Sequence, residues 1–154
     1  MAAIRLRPAF AMLDQLAKPA PGKSCGSCTM CCKALEIEHF SKPMGKLCSH
    51  CTEGGGCGVY QTRPKVCREF LCEWMCERSL PPHLRPDRVG TILIEDPDSD
   101  EYHAVCDPSR PMAWRQPVMF KHLVSVAKTG QIVIAKSGMR AWRIYEDGHT
   151  TEWA

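Results

Sequence analysis

Hydrophobic and polar positions divide the chain into two unlike halves. From about residue 90 the pattern is regular. "TILIE" and "YHAVCD" read as strands, separated by the turn-forming "DPDSD". "QPVMFKHLVSVAKTG" reads as a helix: Phe120, Leu123, Val124 and Ala127 recur at helical spacing, Pro117 suits the first turn, and Gly130 suits the C-terminal cap. "QIVIA" and "MRAWRIYED", on either side of "KSG", read as two further strands. The order β-β-α-β-β predicts a small antiparallel sheet with one helix on a face, in a chain of α+β class.

Before residue 79 no such periodicity holds. Residues 1–22 read as an N-terminal helix and linker ending in "KPAPGK", residues 23–78 as an irregular module rich in cysteine, and residues 79–89 as a Pro-rich connection. Residues 90–154 then form the α+β unit, expected to pack on the module. Within the module, Pro64 is expected to open a helix running to about Arg78, with Cys72 and Cys76 on one face. Gly54, Gly55 and Gly56 form a loop whose backbone can pass close to a site.

Composition changes the picture through cysteine. The chain has 154 residues and 11 cysteines, of which only Cys106 lies outside the span from Cys25 to Cys76. The N-terminal segment does not read as a secretory signal, because Arg5, Arg7, Pro8 and Asp14 interrupt its apolar run. The expectation is a cytoplasmic, reducing setting, where clustered cysteines bind metal more often than they form disulfides. A net charge of +3, with no basic block, gives no footprint for nucleic acid. No apolar run is long enough to cross a membrane. The partners to expect are proteins.

The spacing of the thiols points to chemistry. Cys25, Cys28 and Cys31 follow C-x2-C-x2-C, a turn that aims thiolates and backbone N–H groups at one centre in zinc and iron–sulfur sites alike. A bacterial ferredoxin run would place its fourth cysteine where Leu35 stands. The zinc-ribbon spacing fits better: 19 residues separate the pair Cys25/Cys28 from Cys48/Cys51, and 16 separate Cys28/Cys31 from it. Cys32 next to Cys31 suggests two different roles, since neighbouring side chains diverge. Cys57, Cys67 and, in reserve, Cys72 complete the candidate ligands; Cys106, on a strand, is read as a non-ligand, and Cys76 is left open between ligand and packed or exposed non-ligand. His39 and His50 are weaker, nitrogen candidates, and Arg63 and Arg68 flank Cys67, where a guanidinium would offset thiolate charge.

"CGSCTMCC" together with "CGVYQTRPKVCREFLC" resembles the CxxCxxCC, or YkgJ-type, cysteine-cluster family, a zinc- or iron-chelating domain. The resemblance rests on Cys25, Cys28, Cys31 and Cys32, then on Cys57, Val59, Tyr60, Arg63, Pro64, Cys67, Arg68 and Phe70, and covers about a third of the chain. It implies metal binding and leaves the metal open. Three functions are therefore expected, in order: a non-catalytic module stapled by one or two zinc ions, an iron–sulfur redox protein or enzyme subunit, and a metal-delivery or thiol-redox protein. No paired general acid and base is seen, and no catalysis is expected.

Overall fold

The computed structural model describes residues 18–96 and 98–153, so most of the expected N-terminal helix and linker lies outside the described residues. The fold is α+β. Its first half holds α1 (Met30–Ala34), a two-stranded hairpin of β1 (Cys51–Thr52) and β2 (Gly56–Cys57), then α2 (Lys65–Glu69) and α3 (Glu73–Cys76). The helix expected from Pro64 to Arg78 is two pieces. Phe70 and Cys72 adopt extended backbone between α2 and α3, which re-aims the chain. Phe70 and Leu71 use that break to face the cavity described below, a tertiary gain that overrides helix propensity.

The Pro-rich connection is ordered and packed. Pro82–Leu84 forms one 3-10 turn and α4 (Pro86–Val89) follows, with Leu80, Leu84 and Val89 buried. The Trp74 indole Nε1 donates to the Pro81 carbonyl (3.1 Å).

The second half is a five-stranded sheet in sequence order: β3 (Thr91–Glu95), β4 (Glu101–Cys106), β5 (Ile132–Ser137), β6 (Arg140–Ile144) and β7 (Thr150–Trp153), with α5 (Pro117–Ala127) between β4 and β5. The class and the β-β-α-β-β order agree with the pattern in the sequence; two details differ. The β4–β5 pair is parallel, with His103 opposite Ile134, because α5 carries the chain back along the sheet before β5 begins. A fifth strand, β7, adds an antiparallel edge after a turn at Asp147 and Gly148.

On α5 the buried stripe is Met119, Leu123 and Ala127, with Phe120 and Val124 packed beside it. The Tyr102 hydroxyl meets His122 Nε2 of α5 (3.1 Å), and Trp114 lies 5.3 Å from Trp142, ring to ring.

One hydrophobic core serves both halves. Met30, Ala34, Leu35, Ile37, Trp74 and Met75 of the cysteine module join Ile92, Leu93, Trp114, Leu123 and Val133. α1 and α3 both pack on β3. Fully buried side chains such as Leu35 and Ile37 contribute about 1.5–3 kcal/mol each, so the module's few apolar residues are spent holding it to the sheet. Lys33 adds an ion pair from α1 to Asp107 beyond β4 (3.0 Å) and another to Glu53 in the hairpin (3.2 Å). Among the described residues no helix is long and apolar enough to cross a membrane.

Candidate metal centre

Each cysteine is placed by a short, identifiable device. The Cys28 amide donates to the Cys25 carbonyl (2.8 Å), closing a turn in which Gly26 takes a positive φ. Cys31 and Cys32 stand on α1, directly after that turn. The Cys48 amide donates to the Cys32 carbonyl (3.0 Å) and the Cys51 amide to the Cys48 carbonyl (2.9 Å). Cys57 pairs with Cys51 across the hairpin. Cys67 lies on α2, and its amide donates to the Pro64 carbonyl (3.0 Å).

The glycine loop does what its composition suggests. Gly56 has φ +84°, and a Cβ there would stand 2.6 Å from the Gly26 carbonyl oxygen. Only glycine lets the hairpin carrying Cys51 and Cys57 touch the loop carrying Cys25 and Cys28.

These devices converge. Cys25, Cys28, Cys31, Cys32, Cys48, Cys51, Cys57 and Cys67 all line one cavity of about 210 Å³. Apolar groups, among them Ile37, Phe40, Phe70 and Met75, fill the wall between the thiols, while Tyr60, Arg63, Arg68 and His50 share it. Cys72 is buried and does not line the cavity, although Cys25 and Cys28 are its neighbours. Among the described residues no three His, Cys, Asp or Glu side chains are gathered tightly enough to hold a single ion. The thiols ring a space rather than a point.

The adjacent pair behaves unlike the sequence expectation in one respect. The Cys31 and Cys32 sulfurs meet at 3.9 Å. Shared hydrogen bonding with Cys31 holds the Cys32 thiol down at about 6 against the opposing effect of burial, helped by Cys51 and Lys42. The same bond, followed by burial, pushes Cys31 well up. Burial is the first cause of the rise at Cys25, Cys28 and Cys51. It also pushes Cys67 to about 11 and Cys72 to about 12, with neighbouring thiols adding to it. Metal uptake by such groups must release protons.

In the metal-free protein, iodoacetamide should therefore modify Cys32 first. Its rate should climb as pH rises through about 6 and level off above, because the thiolate is the nucleophile. Cys67 should stay slow at neutral pH. Peptide mass spectrometry after timed labelling reads both rates.

No protein-family model, curated protein or solved structure matches this chain. The site is therefore read from its own geometry.

Several side chains complete the cavity. Arg63 lies over the Tyr60 ring (3.7 Å) and donates to the Tyr60 carbonyl, and its charge lowers the Cys25 and Cys67 thiols against burial. His50 lines the cavity with its ring against Phe40 (4.7 Å), whereas His39 does not reach it. Cys76 lies outside the wall, and Cys106 is buried in the sheet against the Thr91 hydroxyl (3.8 Å).

Two residues beside the thiols carry no sequence signal. Lys42 is buried among the thiols, pinned by an isolated bridge between Ile37 and Lys42 across the turn at Glu38–Phe40. Arg85, from the Pro-rich connection, donates through Nη2 to the Cys25 carbonyl (3.0 Å) and Ser27 Oγ (3.1 Å). Lys42 is set by the short turn before it, and Arg85 by contacts with the distant Cys25 loop, which no local pattern reports.

Proposed function

We propose that this protein is a metal-binding protein whose cysteine cavity holds an iron–sulfur centre and passes electrons to or from a protein partner. The observation that carries the proposal is eight cysteines lining one cavity of about 210 Å³. A bare zinc ion needs four ligands at about 2.0–2.3 Å, hence thiolates in mutual contact. A cluster brings its own bulk and needs thiolates spread around it. The donor set fits such a group: soft thiolates, cations from Arg63 and Lys42 to offset their charge, and an apolar wall that limits water. The resemblance of the two cysteine motifs to the CxxCxxCC family points the same way, toward zinc or iron.

When bound, the group would supply one-electron chemistry. The chain's own residues do the rest. Apolar side chains exclude solvent, and Arg63 and Tyr60 settle Cys25. Exposed His50 and Arg68 bring the cavity to the surface, where a partner can approach.

Zinc is the second reading. The 3.9 Å between the Cys31 and Cys32 sulfurs matches the edge of a tetrahedral thiolate site, about 3.8 Å for bonds of about 2.3 Å. Analysis of protein purified without oxygen decides. Brown protein containing iron and acid-labile sulfide is the expected result. Colourless protein with zinc and no labile sulfide would replace the redox role with a structural one.

A further inference from the structure

Between α1 and the Cys48 loop the chain makes a strained reversal. Ser41 takes φ +50°, and among the described residues it is the one non-glycine position with a positive φ. A residue with a Cβ is disfavoured there. The reversal lets Ile37 and Lys42 exchange both backbone hydrogen bonds (3.0 and 3.1 Å). Ile37 lines the cavity, and Lys42 is drawn inside with it, only 6% exposed.

The ammonium ends between two thiol-bearing segments. Lys42 Nζ donates to the carbonyl of Lys33 (3.2 Å), the residue after Cys32, and to that of Lys46 (2.8 Å), in the loop that leads into Cys48. The Cys48 amide closes the same junction on the Cys32 carbonyl (3.0 Å). Among the described residues no carboxylate forms an ion pair with Lys42, and the ionisable groups that act on it most strongly are the thiols of Cys32, Cys48, Cys31 and Cys51. Lys33 is the contrast: its ammonium is committed to Asp107 (3.0 Å) and Glu53 (3.2 Å). A buried ammonium that meets only neutral carbonyls is costly, and thiolates beside it offset that cost.

We infer that Lys42 is the positioning residue of the metal centre, a buried ammonium that ties the Cys32 helix to the Cys48 loop and supplies the centre's fixed counter-charge. Four thiolates carry more negative charge than a zinc ion or an iron–sulfur core offsets. A cation held inside the protein acts on that surplus with little screening by salt. It favours metal retention, and in an iron–sulfur centre it favours the reduced form, which carries one more electron. The inference rests on the metal-binding reading above and extends it to what sets binding strength and potential. It does not depend on which metal is bound.

Metal retention against EDTA, and the reduction potential of an iron-containing preparation, test it on the full chain purified without oxygen. Lys42→Met and Lys42→Gln remove the charge, and Gln keeps an N–H donor. Both should hold metal about 10–100-fold more weakly, and an iron–sulfur centre should shift to more negative potential. Lys42→Arg keeps the charge and should stay close to the unmutated chain in both readouts. Lys33→Met removes a lysine whose charge is already paired and should shift the potential less. A purely structural clamp predicts the opposite pattern, with the bulkier Arg losing metal as Met does and the potential unmoved. Neutral variants with full retention and an unshifted potential overturn the inference. So does a folded Lys42→Arg that loses its metal, which decides the matter even if the neutral variants do not fold. Zinc held by Lys42→Arg and lost by Lys42→Met would sink the iron–sulfur reading and keep the role of Lys42. An iron–sulfur centre indifferent to the Lys42 charge would do the reverse, and a chain without metal sinks both.

Discussion

Replacing Cys67 with serine should weaken metal retention at least a hundredfold and lower the melting temperature. A hundredfold is about 2.8 kcal/mol, and in a chain of this size about 3 kcal/mol moves the midpoint by roughly 6–12 °C. The reason is linkage: binding free energy at a site absent from the unfolded chain is folding free energy. Cys67 lines the cavity beside Cys32, Cys48 and Cys57. Cys28→Ser should act alike through its own neighbours, Cys25 and Cys72. Cys106→Ser is the control, since that thiol is buried in the sheet against Thr91 and should leave metal content unchanged. Elemental analysis and calorimetry on the same preparations read both effects. Full metal and an unshifted midpoint in both Cys28→Ser and Cys67→Ser would remove the basis for a metal centre here.

Gly56→Ala should cost about 2–4 kcal/mol and most of the bound metal, although no ligand is touched. A residue at φ +84° is strained by about 1–2 kcal/mol once it carries a Cβ. That Cβ would also stand 2.6 Å from the Gly26 carbonyl oxygen, a backbone atom that cannot rotate away. The hairpin and the Cys25–Cys28 loop must then separate, which pulls Cys51 and Cys57 from Cys25 and Cys28. Gly54 provides the comparison. Its φ is +73°, but nothing lies within 4 Å of its Cβ position, so Gly54→Ala should cost about 1–2 kcal/mol and keep the metal. Equal behaviour of the two variants, by thermal melting and metal content, would mean that the close approach is not what holds the module.

Much of this was legible in the chain. The short apolar, β-branched runs in "TILIE", "YHAVCD" and "QIVIA", bounded by turn residues, mark buried strands, and Pro117 and Gly130 bracket α5 because each suits one end of a helix. The run "GGG" implied a close backbone approach, which Gly56 makes. The edge strand β7 was missed, although "DG" followed by "HTTEW" is a turn and a β-rich segment. The parallel β4–β5 pair depends on where α5 returns the chain, a matter of three-dimensional path. The break at Phe70–Cys72 escaped because helical spacing continues through it, and only the demand to line a cavity opens it. At the site, cysteine spacing named the lining thiols but could not say which face each other. Lys42 escaped altogether, since a lone lysine in "HFSKPMGK" reads as solvated until the turn at Glu38–Phe40 folds it inward.

The packing of α1 and α3 on β3 also sets an order of events during synthesis. All nine candidate ligands leave the ribosome before the strands that support them. Until Thr91–Glu95 and the later strands exist, Leu35 and Ile37 have no complete core to enter, and the cysteine turns lack the anchor that fixes their separation. The nascent thiols are thus exposed to stray metal and oxidant for as long as the second half takes to appear. Correct loading belongs after chain completion, and a delivery factor for this protein would need to recognise the finished sheet rather than the cysteine sequence.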